Sequence, residues 1–134
     1  MPLPAKKIGI LLFVCVLFSQ VFCFAQSQAD LTTNACDSLK KAEEEMMITY
    51  KKIISLHSKD KQFLSTFEKA QNLWKSFAQA HVDSIYYPGQ HWGTVEPMCR
   101  CTEEHILTSE RHEQLKQWLK KTEEGFVCNG SRSN

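Results

Sequence analysis

Helix breakers are scarce and unevenly placed. Glycine occurs 5 times and proline 4 times in 134 residues. Pro88, Gly89, Gly93 and Pro97 all fall within one stretch, 86–107. Elsewhere apolar residues recur at helical spacing, and no alternation at strand period is long enough to define a sheet. No internal repeat is visible. Net charge is also nearly absent. The formal charge is +1, and acids and bases are interspersed, as in Glu43-Glu44-Glu45 ahead of Lys51-Lys52. That leaves no electrostatic case for nucleic acid or an anionic membrane as partner. A nucleophilic cysteine needs a nearby base and an orienting acid. His105 is close to Cys101, but no oxyanion loop is recognisable, and Glu103-Glu104 reads as a solvated pair. The chain is not expected to be an enzyme.

The one long hydrophobic run is N-terminal. Lys6 and Lys7 precede Ile8 to Phe24, which is broken only by Gly9, Ser19 and Gln20 and ends at Cys23-Phe24-Ala25. A basic start, an apolar run and small residues before the cut describe a secretory signal peptide. Residues 1–25 are read as that signal, with Ala29 the alternative cut. An uncleaved anchor is the competing reading, since the run approaches the length of a membrane span. A lipid anchor is discounted because Phe22 and Val14, not small residues, precede Cys23 and Cys15. After cleavage no stable membrane insertion is expected. Loss of Lys6 and Lys7 takes the formal charge from +1 to −1.

Export changes the reading of the cysteines. Cys36, Cys99, Cys101 and Cys128 remain, an even number suited to two disulfides. A bridge between Cys99 and Cys101 would be strained. Each is therefore expected to pair outward, one with Cys36 and one with Cys128.

The mature chain, 26–128, reads as one helical domain. A frayed leader covers 26–31, and the first helix begins near Thr32–Asn34. Its inner face is Cys36, Leu39, Ala42, Met46, Tyr50, Ile53 and His57, at spacings of three and four. Ser58-Lys59-Asp60 is a turn in which Ser58 or Asp60 caps the second helix. That helix runs to about 83–85 and carries Phe63, Phe67, Ala70, Trp74, Phe77 and His81 on one face, with Gln71 inside the stripe. The short turn makes the two helices antiparallel neighbours. Residues 86–107 read as a long loop, pinned by Cys99 and Cys101. A third helix starts at Thr108 or Ser109, turns Leu115, Trp118 and Leu119 inward, and stops near Gly125. Phe126-Val127-Cys128 then folds back, and 129–134 form a disordered tail. The predicted fold is all-α: two long antiparallel helices, a third helix, and a disulfide-pinned loop between helices two and three.

Three groups are candidates for more than packing. Gln71, Trp74 and Arg111 combine a core ring with two groups able to hydrogen-bond the loop backbone. Tyr86, Tyr87, His91 and Trp92 put interface-type rings in the loop. Met98, Cys99, Cys101, His91, His105 and His112 offer soft ligands, but Cys-x-Cys-x-x-x-His fits no standard zinc spacing and oxidised thiols bind no metal. No metal and no cofactor are expected.

Ala70-Gln71-x-x-Trp74-x-x-Phe77, followed by Gly93-Thr94-Val95-Glu96-Pro97-Met98 and then Thr108-x-x-Arg111-x-x-x-Leu115, resembles the motif series of the LprI-like lysozyme-inhibitor family, with Tyr50 at the place of its upstream tyrosine. The likeness covers about 32–119. It departs at Ala78-Gln79-Ala80-His81-Val82, where the family has an arginine, an aspartate and a cysteine, so the chain looks like a divergent member. The resemblance implies a small periplasmic or secreted bacterial protein that binds and inhibits lysozyme without catalysis or cofactor. On that reading Tyr86, Tyr87, His91 and Trp92 are the partner-binding residues, entering the enzyme's cleft. Two other readings stay open: an envelope interaction module with another target, and a Cys/His metal- or thiol-active protein.

Overall fold

The computed structural model describes residues 5–121, 128 and 130–132, with side chains from residue 27 onward. Three helices carry the fold: α1 at Ala5–Leu56, α2 at Lys61–Ile85 and α3 at Glu96–Lys116. Single 3-10 turns follow at Gln117–Leu119 and Gly130–Arg132. The fold is all-α, as the apolar spacing predicted.

The inner face of α1 is the predicted one. Leu39, Ala42, Met46, Ile53 and His57 are buried, and Tyr50 is half-buried. The helix does not start at 32–34. It passes through 26–34 without a break, because nothing there stops it: no proline or glycine lies between Gly9 and Pro88. The turn behaves as expected. Asp60 caps α2 by accepting from the Phe63 amide at 2.9 Å, which satisfies one of the helix's orphan donors.

The third helix corrects the reading of 86–107. It begins at Glu96, with Pro97 in its first turn. Pro97 lacks only an amide hydrogen that a first turn does not use, and its fixed φ suits the helix. It is a start signal, not part of the loop. Thr108 is a buried residue in mid-helix rather than a cap. The loop shrinks to the ten residues 86–95. Gly125, Phe126 and Val127 lie outside the described residues. Residues 130–132, expected to be disordered, form one turn whose Arg132 lies over the Trp118 ring at 5.9 Å.

Facing pairs give the topology. Cys36 meets Cys101, and Thr49 Oγ1 lies 2.8 Å from His112 Nε2. Both pairs advance along the chain together, so α1 and α3 are parallel and α2 returns antiparallel to both. The Cys36–Cys101 disulfide brings α1 and α3 to a Cα separation of 5.0 Å. The expected second bridge is absent: Cys99 and Cys128 are free thiols. Cys99 lies in the first turn of α3, while the tail packs on Trp118 beyond its last turn. A helix of this length separates the two ends by about 30 Å.

The core gathers at the turn end of the bundle. His57 stacks on Phe63 at 3.9 Å, Phe63 on Phe67 at 5.2 Å, and Trp118 meets Phe67 edge-on at 5.0 Å. Tyr50 also stacks on Phe67, at 5.4 Å, and burial raises its hydroxyl above the usual tyrosine range. Leu115 is fully buried within this cluster, and Val82 is fully buried farther along. Phe77 is a second correction. It is 57% exposed, as is its neighbour Leu73 in similar degree. The buried row on α2 runs Phe63, Phe67, Gln71 and then Val82, and Phe77 lies to one side of it.

Candidate functional site

The loop 86–95 caps the end of the bundle opposite that core. Tyr86 closes α2, its amide bonding Val82 O at 3.0 Å. Pro88 and Gly89 then make a turn in which Gly89 has φ +94°. A proline followed by a positive-φ glycine is the pair a type II turn requires. Gly93 has φ +77° just ahead of α3.

The rings fold onto one another. Trp92 stands edge-on to Tyr86 at 6.0 Å and to Tyr87 at 5.6 Å. Its indole N–H donates to Tyr87 O at 3.5 Å. Tyr87 and Trp92 nevertheless stay 47% and 37% exposed. His91 is exposed on the same loop. Thus Tyr86, Tyr87 and Trp92 form a ring cluster in which Tyr87 and Trp92 keep open faces and Tyr86 is the half-buried inner member, while His91 stands outside these ring contacts.

One arginine ties this loop to the helices. Arg100 Nη1 donates to Tyr86 O at 3.0 Å. Its Nη2 pairs with Asp83 Oδ1, and Nη1 lies 3.8 Å from Glu96 Oε1. The guanidinium carbon sits 5.9 Å over the Tyr86 ring. Hydrogen bonds from Arg100 and then Gln79 hold the Asp83 carboxyl below its usual range. Burial pushes the Tyr86 hydroxyl up, and the Cys99 thiol beside it adds to the shift. In the sequence the signal for Arg100 is faint: it is the only arginine or lysine between Lys75 and Arg111, among Asp83, Glu96, Glu103 and Glu104.

Gln71, Trp74 and Arg111 do meet, but they do not hold the loop. Arg111 Nε donates to Gln71 Oε1 at 3.0 Å and its Nη1 to Gln114 Oε1 at 3.0 Å. Gln71 is 2% exposed and donates to Met46 Sδ at 3.8 Å. Arg111 lies 5.9 Å over the Trp74 ring. The group bolts all three helices together at mid-height, and burial lowers the Arg111 pKa. Nearby, His81 Nε2 pairs with Glu103 Oε1 at 3.3 Å. A groove of about 320 Å³ lies between the helices, lined by Glu43, Trp74, Gln79, Glu104 and Thr108. Burial raises the Glu104 carboxyl, with Arg100 opposing.

The sulfur and imidazole group is dispersed. Cys101 is in the disulfide, and His112 is bonded to Thr49 on α1. Among the described residues no three of His, Cys, Asp and Glu are grouped to hold a metal ion.

The family profile described as "Lysozyme inhibitor LprI" matches residues 23–115. The chain belongs to the LprI family. The match runs from within α1 to the last turn of α3, so it takes in the loop, the Arg100 contacts and the Gln71–Arg111 bolt. Within this LprI chain, Gln71, Thr108 and Leu115 are buried, Tyr50, Trp74 and Arg111 are half-buried against them, Gly93 and Pro97 set the entry to α3, and Phe77 is exposed. LprI describes an inhibitor family rather than an enzyme family. No curated protein and no solved structure matches the chain.

Proposed function

We propose that this LprI protein binds a lysozyme through the 86–95 loop and inhibits it by filling the substrate cleft. The observation that carries this is the state of Tyr87 and Trp92, which are exposed yet packed edge-on at 5.6 Å. Rings that are already ordered lose little side-chain entropy on docking, and each combines apolar area with a polar tip. The Tyr87 hydroxyl and the His91 imidazole are the groups that would reach the catalytic carboxylates of the enzyme. Family membership supports lysozyme as the partner class. The protein acts outside the cytoplasm, in the periplasm or secreted, after residues 1–25 are removed as a signal peptide.

Tyr87→Ala, His91→Ala and Trp92→Ala test this in a cell-wall lysis assay with several lysozyme types. Each should weaken inhibition by about tenfold or more, as expected for central aromatic anchors. Full inhibition by all three folded variants removes the loop from the mechanism. A second reading, an envelope module with another protein target, is favoured by Ala78, Gln79 and Val82, which stand where the LprI-like motif has charge and a cysteine. Wild-type protein that inhibits no lysozyme type would select it.

A further inference from the structure

We infer that Arg100 is the positioning residue of this site: it holds the aromatic loop in its binding shape without itself touching the partner. The inference rests on the loop reading above and adds the residue that makes the loop competent.

Ten residues with two positive-φ glycines have no reason to keep one shape by themselves. The backbone hydrogen bonds of the loop lie at its ends, from Tyr86 N to Val82 O, from Glu96 N to Gly93 O and from Cys99 N to Val95 O. Between them the rings touch mainly each other, and such contacts do not fix the cluster relative to the bundle. Arg100 does fix it. It is mid-turn on α3, a helix tied to α1 by the disulfide. Its planar fork reaches three elements at once: Asp83 on α2, Glu96 on α3 and the Tyr86 carbonyl at the loop's first residue. Its face also covers the Tyr86 ring, against which Trp92 stands. Only a guanidinium has donors spread enough for this; an ammonium is a single point of charge. Asp83 is held in turn by Gln79 Nε2 at 3.1 Å, so the anchor is itself oriented. The lowered pKa of Asp83 agrees with this geometry. About a quarter of the Arg100 side chain stays exposed, and its donors face inward to these partners. It therefore acts through Tyr86 and Trp92.

The experiment measures loop order and inhibition separately. Full-length mature protein is labelled with ¹⁵N, and the heteronuclear NOE of the Trp92 indole is compared with those of Trp74 and Trp118, using Trp92→Phe to assign it. Arg100→Ala should lower the Trp92 value toward that of a flexible side chain and leave Trp74 and Trp118 unchanged. Arg100→Lys, which retains charge but not the fork, should fall between. Asp83→Asn, which retains a hydrogen-bond acceptor, should loosen Trp92 less than Arg100→Ala. Inhibition by Arg100→Ala should weaken about tenfold. A Trp92 indole as rigid in Arg100→Ala as in the wild type overturns the inference. So does inhibition that falls in Arg100→Ala and is not partly restored in Arg100→Lys. If Trp92 loosens while inhibition is unchanged, Arg100 still orders the loop, and it is the loop's part in lysozyme binding that fails.

Discussion

Removing Arg111 should unfold this protein more readily than removing its partner Gln71. The two are joined by one hydrogen bond, Arg111 Nε to Gln71 Oε1 at 3.0 Å, but their surroundings differ. Gln71 is 2% exposed, so Arg111→Ala strands a buried carbonyl oxygen that water cannot easily reach. Stranding such a group costs about 1–3 kcal/mol. Losing the guanidinium over Trp74 adds about 0.5–1 kcal/mol. Together these give about 1.5–4 kcal/mol, or a fall in Tm of about 6 °C or more for a domain near 100 residues. Arg111 is only half-buried and also bonds Gln114. In Gln71→Leu it turns to Gln114 and water, so that variant should lose only about 0–1 kcal/mol. Urea unfolding followed by helical circular dichroism measures both, and the double variant closes the cycle. The reasoning fails if Arg111→Ala lies within about 0.5 kcal/mol of the wild type, or if Gln71→Leu costs as much. Either result means that water enters the bolt and Gln71 is not stranded.

The disulfide closes a segment of 65 residues between Cys36 and Cys101. On the chain-entropy view, Cys36→Ser with Cys101→Ser should lower stability by about 4 kcal/mol. Cys99→Ser should not, and thiol titration of the unreduced protein should find Cys99 and Cys128. The Glu104 prediction follows from its raised pKa. Its neutral form is the one the fold prefers, so its favourable contribution is fully present below the ordinary 4.5 and is lost as pH rises through the folded value. Glu104→Gln should therefore raise Tm at pH 7, and the gain should vanish toward pH 4. A gain that is equal at both pH values points to packing instead.

Much of the bundle was legible because the core faces of α1 and α2 are long and strongly periodic. Leu39, Ala42, Met46 and Ile53 were all readable on α1, as were Phe63, Phe67 and the Asp60 cap on α2. The differences share a cause: a local signal carries more than one meaning. Pro97 reads as a loop residue, yet proline also begins helices. Phe77 fits an inward stripe because three- and four-residue spacings both do, while the interface follows the row through Gln71. Gln71 and Arg111 were expected to bond the loop. A polar pair on facing helices can satisfy itself, and nothing in one sequence shows which helices face. Arg100 lies between Cys99 and Cys101, whose sulfur chemistry is the stronger local signal. Its i,i+4 spacing from Glu96 was the available signal, and that signal names one of its partners only.

The two ends of the bundle should also separate in experiment. The stacked rings of His57, Phe63, Phe67 and Trp118 lie at the 57–60 turn, and α2 carries the chain about 37 Å from there to Tyr86. The Gln71–Arg111 bolt and the Cys36–Cys101 bridge lie between the core rings and the loop. Trp92 contacts Tyr86 and Tyr87 and none of the rings of that core. Trp92→Ala should then leave the urea midpoint within about 0.5 kcal/mol of the wild type, the ordinary range for a surface change. Trp118→Ala removes a half-buried ring that meets Phe63 at 5.4 Å and Phe67 at 5.0 Å, and should cost about 2–3 kcal/mol, less than a fully buried ring would. A loss in Trp92→Ala approaching that of Trp118→Ala would mean that the loop is a structural cover for the helix pair. Any loss of inhibition in that variant would then report unfolding and not contact.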